Sequence, residues 1–368
     1  MRFSLIFLAL FSASFIFGQN AKSVQGAVAS IDETPEPIVN SITEPHLKNM
    51  KQLTFGGDNA EAYFSFDGKK LSFQSNNPLW NLKCDQIYYM VIEEAEDNKI
   101  YQPMQVSNGE GRTTCAYYLP GDKKILYAST FKSGKECPPE ASKTTGKYLW
   151  SIYPSYDIFI GDEKGKVLKQ LTNSPGYDAE ATVSPKGDKI VFTSTRNGDL
   201  DLYIMDIDGK NVKQLTHSLG YDGGAFFSPD GTKLVFRASR PEGKDTVEYK
   251  DLLSQGLVAP TNMEIYTMNI DGSDIKQVTH LGKANWAPFY HPSGKKIIFS
   301  SNHHSAKGWD FQLWMINEDG TGLTQITTES VFNAFAMFSP DGKKLVFSSN
   351  RNNGGTRDTN VFIANWED

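Results

Sequence analysis

Carboxylates, most of them beside an aromatic residue or a second charge, recur at matching places along this 368-residue chain. They are Asp58 with Glu61, Glu110 with Arg112, Asp178 with Glu180 after Tyr177, and Asp222 after Tyr221; Trp286 follows Asn285 at the corresponding place further on. Gathered at one mouth, such groups can hold a divalent cation or the basic group of a peptide. The same residues can instead accept hydrogen bonds from backbone groups at strand ends, and the sequence leaves both roles open.

The three cysteines offer a second chemistry. The expected disulfide joins Cys115 to Cys137 across a segment containing Gly134, with Pro138 and Pro139 just beyond, and contributes ~2–4 kcal/mol. Cys84 is then a buried thiol or an alternative partner. A zinc site using His303 or His304 lacks the usual Cys-x-x-Cys or His-x-x-x-His spacing.

Catalytic signatures are scarce. The chain has no Gly-x-Ser-x-Gly elbow, no His-Glu-x-x-His and no Gly-Lys-Ser/Thr phosphate loop. Gly109-Glu110-Gly111 lacks the third glycine of a dinucleotide site, and Asp206-Ile207-Asp208-Gly209 lacks the downstream Glu of a calcium loop, so a hairpin turn accounts for it. No cofactor is expected, a bound Ca or other divalent cation being the one addition the acidic entrances would accept.

What must position these residues is a repeat. Phe226-Phe227-Ser228-Pro229-Asp230-Gly231-Thr232-Lys233-Leu234-Val235-Phe236 is rewritten around Gly68, Gly121, Gly187, Gly294 and Gly342, at steps of 44 to 66 residues. Each copy is an apolar run, a turn and a second apolar run, which reads as a β-hairpin. Proline presets φ, Asp bonds its own backbone and Gly accepts positive φ, so the chain must reverse there. A third run follows each hairpin, as in Asp201-Leu202-Tyr203-Ile204-Met205, and a fourth ends in Leu171-Thr172, Leu215-Thr216, Val278-Thr279 or Ile326-Thr327. Four strands per unit and six units describe an all-β, six-bladed propeller of four-stranded antiparallel blades.

The ends fix its closure. Residues 46–54 finish in Gln52-Leu53-Thr54 ahead of the first hairpin, whereas the chain stops after a third strand at Val361-Phe362-Ile363. The N-terminal strand should therefore complete the last blade and leave no open edge. The long insertions, at 76–85, 131–155, 239–262 and 302–310, all fall between second and third strands, on the face where the inner strands begin. Loops on a rigid scaffold carry function, so this face is the expected binding face. Within one insertion Tyr249, Leu252, Leu253 and Leu257 have helical spacing, with Gly256 and Pro260 as stops.

Residues 1–18 read as a secretory signal, Arg2 preceding an apolar run too short to span a membrane, and 19–45 as a flexible lead-in to a propeller over 46–368. A periplasmic or secreted location follows, with no membrane span in the mature chain. A net charge of −6 and the absence of a basic patch argue against nucleic acid.

The Ser-Pro-Asp-Gly-Lys hairpin, the Leu-Thr strand end and the Asp-Gly turns resemble the TolB-type six-bladed β-propeller, a relative of the WD-like repeats, over residues 46–366. The α/β domain that precedes the propeller in TolB has no counterpart in 19–45. The resemblance implies an exported, non-catalytic binding or scaffold module for an envelope protein or peptide, a glycan being a further ligand class, or an accessory to an exported peptidase. The competing expectation is a metal-assisted polysaccharide lyase or hydrolase using Asp178, Glu180 and Asp222 around one cation.

Overall fold

The computed structural model describes residues 38, 40–96, 101–139 and 148–368; the expected signal segment and most of the expected lead-in lie outside them. Among the described residues, six four-stranded antiparallel sheets are arranged as blades. Their inner strands are Asp58–Phe64, Thr113–Tyr118, Asp178–Val183, Asp222–Phe227, Asn285–Tyr290 and Asn333–Phe338 for blades one to six. Each inner strand packs on the next, and the first packs on the last. Leu47–Gln52 pairs antiparallel with the C-terminal strand Asn360–Trp366, so the N-terminal strand closes the ring as expected.

The turn chemistry acts as the sequence implies. In blade four Ser228 Oγ donates to Asp230 Oδ1 at 2.6 Å, the Thr232 amide donates to the same oxygen at 3.0 Å, and Ser228 Oγ accepts the Lys233 amide at 2.9 Å. These donors hold the Asp230 carboxyl down at about 2. The turns also touch one another across blade boundaries on this face. Gly187 sits against Pro120 and Gly342 against Pro292, each a proline of the preceding blade, and an added Cβ would meet it.

The recurrent Thr at the end of the fourth strand is explained by a second network. In blade five Thr327 Oγ1 accepts the Leu313 amide at 2.8 Å and donates to Gln312 Oε1 at 2.8 Å. That oxygen also accepts from Asn333 Nδ2 of blade six at 2.8 Å. Thr54, Asn360 and Asn59 repeat the relay where the ring closes. Buried polar groups are thus satisfied across blade boundaries, where losing a partner costs ~1–3 kcal/mol.

The anchorage of the closing strand begins before it. Glu44, 1% exposed, takes both Arg351 guanidinium nitrogens at 3.0 and 3.1 Å and accepts the Thr328 and Glu329 amides at 2.8 and 3.0 Å. The helix expected in the blade-four insertion forms over Lys244–Ser254, burying Tyr249 and Leu252.

Candidate functional site at the channel mouth

Every inner strand carries a β-bulge at the same place, and the bulged residue adopts positive φ: Glu61, Cys115, Glu180, Gly224, Ala287 and Phe335. A bulge bends the strand and re-aims one side chain, and a non-glycine residue at positive φ is strained. Here all six residues line one cavity of about 510 Å³ on the ring axis.

Below the bulges the axis is filled. Two residues further along each strand stand Tyr63, Tyr117, Thr182, Phe226, Phe289 and Met337. Tyr63 of blade one and Phe226 of blade four, on opposite sides of the ring, meet with centroids 5.3 Å apart, and Phe226 meets Phe289 at 5.2 Å. The channel is therefore a cup with an aromatic floor.

Two insertions build its rim. Trp150–Ser151 from blade two pairs with Leu257–Val258 from blade four, forming a two-stranded ribbon that reaches across blade three. Trp150 lies 5.2 Å from Trp286, which stacks on Phe311 at 4.2 Å and donates its indole N–H to the Pro260 carbonyl at 2.9 Å.

Glu180 is held by four partners. Its Oε1 accepts Tyr221 Oη at 2.6 Å and pairs with Arg237; its Oε2 accepts Thr193 Oγ1 at 2.7 Å and the Gly224 amide at 2.9 Å. Burial alone would raise this carboxyl, but the Arg237 charge and these donors together hold it below its ordinary value. The guanidinium lies over the rings of Tyr221 and Trp150, 4.9 and 5.3 Å from their centroids, and the two faces stabilise its charge. Gly224 makes this possible, because a Cβ there would overlap the guanidinium.

Glu61 is the contrasting acid. It lines the cup but, among the described residues, forms no ion pair with a cationic side chain, and the Cys115 thiol lies within its reach. Burial pushes its carboxyl up to about 7; the Cys115 bond opposes this and the negative Glu180 adds to it.

Four of the eight residues expected at the mouth line the cup: Glu61, Arg112, Glu180 and Trp286. Arg112 pairs with Asp85 at 2.8 Å. The other four stand elsewhere. Asp58 is exposed at a strand start, and Glu110 pairs with Lys135 at 2.8 Å outside the cup. Asp178 is fully buried and held by Arg196 at 3.0 Å through both oxygens. Asp222, also fully buried, faces Arg240 at 2.7 Å; burial pushes its carboxyl up to about 7 despite that cation, with Asp201 adding to the rise. Asp178 and Asp222 occupy the place of Asn285 and Asn333 in the boundary relay, two residues before the bulge, so their side chains turn between blades. Asp178, Glu180 and Asp222 consequently do not converge on one point, and each has its own arginine. Among the described residues no three His, Cys, Asp or Glu side chains are grouped to hold a metal.

The disulfide expectation is corrected. Cys84 bonds to Cys137, with Cα atoms 6.0 Å apart, and Cys115 is free. The bulge sends Cys115 into the cup, while the Gly111 amide bonds the Lys135 carbonyl at 2.8 Å and brings the 131–137 segment beside Cys84, whose sulfur lies 3.2 Å from the Gly111 carbonyl oxygen.

Arg237, Tyr148, Trp150 and the bulge register were missed. Two signals pointed to part of this: an arginine inside the apolar run Leu234-Val235-Phe236-Arg237-Ala238, and paired glycines inside the strand Asp222–Phe227, where glycine usually marks a bulge or a close approach.

Residues 183–258 match the family model described as the TolB beta propeller domain. A solved structure from Agrobacterium tumefaciens assigned to TolB is 19% identical with a TM-score of 0.55, covering 87% of this chain and 97% of that one. TolB from Acinetobacter baumannii is 18% identical with a TM-score of 0.50, over 84% of this chain and 64% of its own. Oligogalacturonate lyase from Vibrio parahaemolyticus is 13% identical with a TM-score of 0.50, over 90% of this chain and 96% of its own. At such identities these likenesses establish fold alone: this chain is a six-bladed β-propeller, similar in fold to the TolB propellers.

Proposed function

We propose that this chain is an exported binding module and that its ligand, a segment of a protein or peptide of the cell envelope, enters the cup at the channel mouth. The observation that carries this reading is the cup itself: a floor of packed aromatic rings, walls from all six blades, and about 510 Å³ of space within the range of ligand pockets. Its walls belong to strands that the bulges and boundary relays hold rigidly, so little ordering cost falls on binding. The likeness to TolB structures supports a protein partner. The separate engagement of Asp178, Glu180 and Asp222 by Arg196, Arg237 and Arg240 favours binding over metal-assisted chemistry at those acids. Among the described residues no helix is long and apolar enough to cross a membrane.

Filling the cup tests this. Phe335 shows that an aromatic side chain is accommodated at a bulge with φ 57°, so Ala287→Phe, at φ 46°, should fold and occupy the cavity. A partner captured from envelope extract by the native protein should be lost with Ala287→Phe at unchanged thermal stability. Equal capture by both proteins would refute the site.

A further inference from the structure

We infer that the cup recognises a cationic side chain, a lysine or arginine presented by the partner, with Glu61 as its counter-charge. This rests on the channel mouth being the ligand site. The argument is a charge balance inside one cavity. Glu180 is neutralised by Arg237 and Asp85 by Arg112, leaving Glu61, among the described residues, as the lining carboxylate without a cation. An anionic ligand is disfavoured, because the charge of Arg237 is already matched by Glu180 and that of Arg112 by Asp85. A cation paired with Glu61 would lie in a cavity that the rings of Tyr156 and Tyr177 also line, and aromatic faces favour positive charge. The charges that act on Glu61 are those of Glu180, Arg237 and Asp85, with the Cys115 thiol as a hydrogen-bonding neighbour and Tyr63 beside it on the same strand. Because burial holds the Glu61 proton to near neutrality, cation binding should strengthen as pH rises through about 7.

The test uses Nα-acetyl-lysine methylamide, its norleucine analogue and its glutamate analogue, with binding followed by ligand NMR line broadening. Native protein should prefer the lysine probe over the norleucine probe by roughly tenfold, as a charge-assisted bond implies. Glu61→Gln should abolish that preference. In the native protein alone the preference should shrink between pH 8 and pH 5, an arm that does not depend on the variant folding. A lysine preference that survives Glu61→Gln, or a preference for the glutamate probe, would overturn the inference. If the norleucine or glutamate probe binds as well as lysine and Ala287→Phe displaces it, the cup stands as the site and only the cationic assignment falls. If no probe binds, both readings fail.

Discussion

Removing Arg237 isolates the electrostatic design of the cup. Arg237→Met keeps most of the side chain's apolar reach but leaves Glu180, 11% exposed, without its cation. Breaking a buried pair by removing one partner costs ~3–5 kcal/mol, because the remaining charge stays desolvated. With an unfolding entropy of ~2.1 cal/mol/K per residue over a domain of about 320 residues, this corresponds to a loss of about 4–7 °C in Tm at pH 7. The sign of the pH dependence follows. Without Arg237, burial is the largest influence on Glu180 and raises its folded pKa above the unfolded one, so the folded variant binds the extra proton as pH falls. The deficit should therefore shrink between pH 7 and pH 5. Adding Glu180→Gln to Arg237→Met should recover most of the loss at pH 7, since no uncompensated charge remains. Thermal unfolding followed by circular dichroism across this range decides the matter. A deficit that is independent of pH, or a double variant no more stable than the single one, would refute the reasoning.

Other expectations follow from the boundary relays, the disulfide and the ring closure. Asp222 has a folded pKa of about 7 against an ordinary 3.8, so the folded state holds its proton in between and the group's contribution to stability falls as pH rises through that window. Asp222→Asn, which installs the side chain present at Asn285 and Asn333, should raise stability at pH 8 by up to about 4 kcal/mol and confer no advantage near pH 4, as measured by denaturant unfolding. Unfolded, unreduced protein should titrate one thiol, Cys115, and three after reduction; reduction should cost up to about 4 kcal/mol on the chain-entropy view of a cross-link spanning 53 residues. Glu44→Ala strands the buried Arg351 and two amides, and should lower Tm by about 4–7 °C with faster amide exchange in Leu47–Gln52. Thr327→Val removes one hydroxyl from a relay and should cost ~1–3 kcal/mol.

The fold was legible because its determinants are local and repeated. The Ser-Pro-Asp-Gly turn reverses the chain by its own hydrogen bonds, and the spare Gln52-Leu53-Thr54 strand end announces ring closure. The cup was legible only in part, and the reason is a single bulge. Strand alternation places residues by a period of two, and one extra residue at Glu61, Cys115 or Glu180 re-aims the side chain at that point. Asp178 and Glu180 look equivalent in the sequence, yet one is buried against Arg196 of its own blade and the other enters the cavity. Cys115 was misassigned for the same reason, since the bulge turns it away from the insertion that carries Cys137. Arg237 arrives from a neighbouring strand across a glycine, a non-local contact that no pattern within one strand encodes.

The central claim, that ligand binds in the cup and not on the turn face, is tested most directly by site-specific photo-crosslinking in the native envelope. A benzophenone side chain at Phe335 places the reactive group among the cup walls, whereas one at Asp230 places it on the Ser-Pro-Asp-Gly face. The account predicts a discrete protein or peptide adduct from position 335, competed by unlabelled native protein, and none from position 230. An adduct from position 230 alone would contradict it.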